Sequence, residues 1–135
     1  MNAVQWIKMY VVALAIFLAL DMVWLGVVAK GFYARSMEPV VDMRVNWPAA
    51  VLFYTLYVVG ILIFGLRPAL ADGSARTAML WGALFGFFTY ATYDLTNLAT
   101  VKDWPKLLVF VDTLWGTFLS MGVSLGTFLI AGRSQ

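Results

Sequence analysis

The chain has 135 residues, room for one domain, and 63% of them are hydrophobic against 12% charged. A soluble fold of this length could not bury so much apolar surface, so the lipid bilayer is the expected solvent. The net charge of +2 comes from scattered basic residues, so no nucleic-acid partner is expected, and the absence of cysteine and histidine excludes disulfides, thiol nucleophiles, thiolate or imidazole metal sites and the commonest general base. Neither a metal nor a cofactor is expected; any proton chemistry would fall to Asp, Glu, Tyr, Lys or Arg.

In chain order, a first apolar run covers about residues 9–29, long enough for the roughly 20 helical residues that cross a hydrocarbon core. Asp21 and Trp24 lie inside it, which speaks against a cleaved signal peptide. A connection, "KGFYARSMEPVVDMRVN", leads to a second run at about 47–66, where Pro48 sits in the first turn, a place a helix tolerates. "RPALADGSAR" connects to a third run, 77–100, and "VKDWPK" to a fourth, 107–131. Short connections make neighbouring helices antiparallel. The expected fold is therefore all-α: a polytopic four-transmembrane-helix bundle, one domain over 1–135, with both termini on one side of the membrane. That side is A here, and the side of the first and third connections is B.

Trp6 and Trp81 fall near side A and Trp47 and Trp104 near side B, as interfacial anchors would. Lys8, Arg67, Arg76 and Arg133 on side A nearly balance Lys30, Arg35, Arg44, Lys102 and Lys106 on side B, so orientation stays open.

Asp21, Asp94 and Asp112 all lie within spans. At about 1.5 Å per residue, Asp21 lies roughly 12 Å, and Asp94 and Asp112 each roughly 9 Å, from the side B ends of their helices. Tyr54 and Tyr57 enter from the same side. On the third span Gly82, Gly86, Tyr90, Tyr93, Asp94 and Asn97 recur at helical spacing on one face, glycines toward side A and larger polar groups toward side B. The fourth span carries Asp112, Gly116, Ser120 and Thr127 on one stripe. The pairs Gly82/Gly86 and Gly122/Gly126 are packing glycines. "DMVWLG" and "DTLWG" each set a Trp three residues after an Asp, which places carboxylate and indole on one face of a helix.

A carboxylate in a span costs about 2.5–3.5 kcal/mol on insertion scales, and neighbouring carboxylates titrate as a unit. One reading of "YATYDLTNLAT" is hydrogen-bonding glue between helices, worth about 0.6–2 kcal/mol per bond. The other is a site for a ligand, a proton or a substrate, favoured by three carboxylates at one depth with aromatic neighbours.

The stretches "FLALDMVWLG", "LFYTLYVVGILIFGLRPAL", "YATYDLTNLAT", "KDWP" and "DTLWG" together resemble the bacterial DUF2177 family of small membrane proteins, over nearly the whole chain. The resemblance implies that Asp21, Trp24, Tyr54, Tyr90, Tyr93, Asp94, Thr96, Asn97, Trp104, Asp112, Trp115 and Gly116 are signature positions. It also implies a bacterial inner-membrane location and leans toward lipids, but it implies no reaction.

The leading expectation is an intramembrane acidic and aromatic site that binds or modifies a lipid or small amphiphile. In an enzyme Asp94 would be the acid/base, with Asp21 and Asp112 beside it, and Tyr54, Tyr90, Tyr93, Asn97, Trp24 and Trp115 would hold the substrate. The alternatives are a dimeric proton-coupled transporter and a non-catalytic subunit of a larger complex. The expected partners are accordingly membrane lipids, and a second copy or a larger membrane assembly.

Overall fold

The computed structural model describes residues 2–28 and 46–132. The first connection, with Lys30, Tyr33, Arg35, Glu38 and Arg44, lies outside the described residues, as do Arg133 and residue 29, where the first span was expected to end. Everything regular that is described is helical. Helix α1 is Ala3–Val23, followed by a π-helical turn at Trp24–Val28. Helix α2 starts at Trp47–Ile61 and runs on through a π turn, Leu62–Leu66, and Arg67–Asp72. Helix α3 is Ala75–Thr100, and α4 is Lys106–Thr127 with a closing π turn at Phe128–Gly132.

The second helix is longer than its apolar run. A connection was expected to start at Arg67, and Pro68 would ordinarily favour that, since proline has no N–H and clashes with the carbonyl four residues back. The π turn removes the conflict: the Arg67 N–H bonds the Leu62 carbonyl five residues back. The helix continues to Asp72 and ends at Gly73, whose left-handed φ of 63° suits a residue without a side chain. Ser74 then caps α3 by accepting the Thr77 N–H at 3.3 Å. Asn2 and Gln5 form a capping box at the start of α1, and Asn46 caps α2 by accepting the Ala49 N–H.

Ala3–Gly26, Trp47–Asp72 and Lys106–Gly132 are long and apolar enough to cross a membrane. Helix α3, at 26 residues, has the length, roughly 39 Å, but is more polar. Much of that polarity is satisfied on its own backbone. Thr89, Thr92, Thr96 and Thr100 donate to the carbonyls of Phe85, Phe88, Thr92 and Thr96 at 2.6–2.8 Å.

Helices α3 and α4 pack along most of their length; α1 lies against α4, and the π turn of α2 lies against α3. The α3–α4 register is a ladder, in which each four-residue step along one helix meets a four-residue step back along the other. A methyl group on Gly82 would stand 2.6 Å from Ser124 Cβ, one on Gly86 would strike Ser120 and the Gly116 carbonyl, and one on Gly116 would overlap the Tyr90 ring. The expected close packing at Gly82 and Gly86 is therefore present. Gly122 and Gly126 face Leu20 and Ile16 of α1 more loosely, at 3.5 and 3.0 Å for the same added methyl. Met9, Ala13 and Phe17 form the buried stripe of α1, and Asp21 is its next position.

Candidate functional site

The ladder that starts with small residues ends with two acids. Asp94 and Asp112 are the next rung after Tyr90 and Gly116, and their carboxyl groups are close neighbours. Asp94 is wholly buried, and among the described residues neither of its oxygens has a partner within hydrogen-bond geometry. Two carboxyl groups can bond each other only through a proton on one of them.

The two Asp–Trp motifs meet across α1 and α4. The indoles of Trp24 and Trp115 stack, with ring centroids 4.4 Å apart and planes 6° from parallel. Asp21 lies beside Trp115 and within electrostatic reach of Asp112, and accepts a hydrogen bond from the Tyr54 hydroxyl at 3.2 Å. The Trp115 Nε1 is buried next to Asp21 without meeting hydrogen-bond geometry to any described residue.

Between the first turns of α2, the second half of α3 and the start of α4 lies a groove of about 670 Å³. Ala49, Ala50, Phe53 and Tyr57 line it from α2, Thr89, Tyr90 and Tyr93 from α3, and Asp112 from α4. Its deepest lining residue on α3, Thr89, is eleven residues before Thr100, so the groove reaches roughly 17 Å from that end of the helix. Tyr57 is its hub. The hydroxyl lies 2.7 Å from Ser120 Oγ and 3.0 Å from Thr89 Oγ1, and the ring meets Tyr90 edge to face at 5.9 Å and Phe53 at 5.4 Å.

The expected site residues thus divide. Tyr90, Tyr93 and Asp112 line the groove. Asp94 lies behind Asp112 rather than on the wall. Asp21, Tyr54, Trp24 and Trp115 form an adjoining cluster, joined to the groove through Asp112. Asn97 is half-buried beside Tyr93 and is not on the wall; its backbone carbonyl accepts the Val101 N–H that closes α3. Trp104, expected as an outward-facing anchor, is buried and packs edge to face on Tyr93 at 6.0 Å. The turn before it folds the indole inward, with Asp103 taking a left-handed φ of 62°. Trp47 and Trp81 do face outward.

Tyr57, Phe53, Thr89, Ala49 and Ala50 are the wall residues not among the expected site residues. Tyr57 was visible as the second tyrosine of "YTLY", three residues from Tyr54 and hence on nearly the same face. The two alanines that make room carry no chemical signal.

Among the described residues, no group of three or more acidic side chains is placed to hold a metal ion. No curated protein and no solved structure matches the chain. Residues 6–129 do match the model of the DUF2177 family, predicted membrane proteins, and with that match spanning nearly all of these helices the chain belongs to that family.

Proposed function

We propose that the protein is a multi-pass inner-membrane protein that holds a lipid or small amphiphile in the groove between α2, α3 and α4. The observation that carries this reading is the groove itself: about 670 Å³ of space among aromatic and small side chains, with the carboxylate of Asp112 among the described residues of its wall. Ligand sites are mostly apolar concavities with a few placed polar groups, and an amphiphile matches that division. The exposed outer faces, among them Phe53, Phe64, Phe87, Phe88, Phe110 and Phe118, suit contact with lipid.

In this reading α3 is a fourth span, its threonine hydroxyls bonded to its own carbonyls, and both termini lie on one side. Asp112 meets the occupant. Asp94, buried behind it, tunes or relays rather than touches. A catalytic role for this pair requires an occupant whose reacting atom reaches Asp112.

The test is native mass spectrometry of the full chain released from membranes, set beside whole-membrane lipid analysis of cells that make the native protein, Asp112→Asn, Asp94→Asn or neither. The expected result is an amphiphile retained by the native chain and reduced in Asp112→Asn. A covalently altered lipid seen only with the native chain makes the site catalytic. A native chain that carries no amphiphile and leaves membrane lipids unchanged refutes the reading.

A further inference from the structure

A second, smaller groove lies between α1 and the later turns of α2, whereas the first takes in the opening turns of α2. Its volume is about 370 Å³, and its described lining is Trp6 from α1 with Val59, Leu62, Ile63 and Arg67 from α2. Val59, Ile63 and Arg67 recur at four-residue steps, so they form one stripe of the helix, apolar first and cationic last. Leu62 is nearly buried and makes the floor, while Val59 and Ile63 are more than a third exposed at the rim. The chemistry changes along this length. Arg67 lies twenty residues after Trp47, roughly 30 Å along a helix and so about one hydrocarbon thickness away. With the outward-facing Trp47 at one membrane boundary, the exposed Arg67 stands at the other. Trp6, half-buried against the core, adds an indole N–H, which can donate but not accept. A guanidinium fork matches two phosphate oxygens and keeps its charge throughout the physiological pH range. Neither aspartate nor glutamate is among the described lining residues, and the nearest in sequence to Arg67, Asp72, accepts the Thr77 hydroxyl at 3.0 Å. From Arg67 back to Val59 the groove runs eight residues, roughly 12 Å, toward the hydrocarbon. A soluble anion would use only its mouth; a phospholipid would use the mouth and the apolar length together.

We infer that this second groove is a site for an acidic phospholipid, whose phosphodiester rests on Arg67 and Trp6 and whose acyl chain lies along Ile63, Leu62 and Val59. The site is separate from the amphiphile groove, since the two share none of their described lining residues. It stands or falls without reference to Asp112.

The experiment is native mass spectrometry of the full chain, delipidated in a neutral detergent and titrated with phosphatidylglycerol or with phosphatidylcholine of identical acyl chains. The first phosphatidylglycerol is expected to bind about fivefold more tightly than the first phosphatidylcholine, the scale of one basic residue at an anionic surface. Arg67→Gln, at an exposed and so tolerant position, should bring the two lipids within about twofold of each other. Arg76→Gln removes another exposed arginine, one outside the groove, and should leave the preference unchanged. Ile63→Trp keeps Arg67 but fills the apolar length from a partly exposed side chain, and should weaken phosphatidylglycerol binding several-fold. A large excess of free glycerol phosphate should not displace the lipid. Equal binding of the two lipids overturns the inference, as does a preference that persists in Arg67→Gln or falls as far in Arg76→Gln. Binding indifferent to Ile63→Trp, or displacement by glycerol phosphate, overturns it too, because the acyl chain would then have no part in the site.

Discussion

The α3–α4 ladder makes a prediction whose size follows from the contacts. In Gly86→Ala the new methyl group would fall 2.7 Å from Ser120 Cβ and also strike the Gly116 backbone carbonyl, which has no rotamer by which to withdraw. Ordinary contact begins near 3.4 Å, so the two helices must part by several tenths of an ångström. Overpacking of that kind costs about 1–3 kcal/mol. Opposing it, alanine gains about 0.5–1 kcal/mol over glycine in a helix interior. Gly122→Ala isolates the difference. It sits on α4 but faces α1, carries the same propensity gain, and its methyl group would meet only Leu20 Cδ1, at 3.5 Å. The propensity terms cancel between the two variants, leaving the overpacking alone. Gly86→Ala should therefore be less stable than Gly122→Ala by about 1–3 kcal/mol. Reversible unfolding in bicelles, followed by tryptophan fluorescence, measures both. Equal stabilities, or Gly86→Ala the more stable, would show that α3 and α4 do not meet at this rung.

Other outcomes follow from single contacts. Tyr57→Phe removes a hydroxyl shared with Ser120 and Thr89 and should cost about 0.6–2 kcal/mol in the same unfolding assay, with Ser120→Ala largely non-additive to it. A double-mutant cycle on Trp24→Leu and Trp115→Leu should return a coupling of about 0.5–1.5 kcal/mol, and a coupling near zero would mean that the two Asp–Trp motifs do not meet. Gly73→Ala forces a side chain into a left-handed conformation and should cost about 1 kcal/mol, whereas Asp103→Gly should be neutral or stabilising. Because the native chain lacks cysteine, single cysteines at Asn2, Gly73 and Lys102 report topology directly. If α3 spans, an impermeant thiol reagent should label the first two from one side and the third from the other.

Much of this was legible from spacing. The apolar runs, the glycine face of α3 and the place of Asp94 and Asp112 toward one end of their helices all follow from helical spacing, which is a local property. The Asp–Trp echo could be read too, although its meaning could not: spacing placed each carboxylate beside its own indole, and only packing brought the indoles of Trp24 and Trp115 together. What escaped were effects of tertiary context. Pro68 reads as a terminator until a π turn absorbs it. Trp104 reads as an anchor until the turn at Asp103 folds it over Tyr93. The groove is defined as much by Ala49 and Ala50, which leave space, as by Asp112, and absence of bulk has no signature in a single sequence.

The ladder also works as a vernier. Its rungs recur about every 6 Å along α3, four residues at 1.5 Å each. A slip by one rung would oppose Asp94 to the bare backbone of Gly116, Tyr90 to Ser120, and Asp112 to Leu98, replacing a glycine notch that receives a ring with a serine that does not. Smaller offsets drive the Tyr90 ring into the backbone on either side of Gly116. The hairpin therefore clicks into a single setting, and the distance between two acids near one end is fixed by hydrogen atoms at Gly82 and Gly86, about three and two turns away.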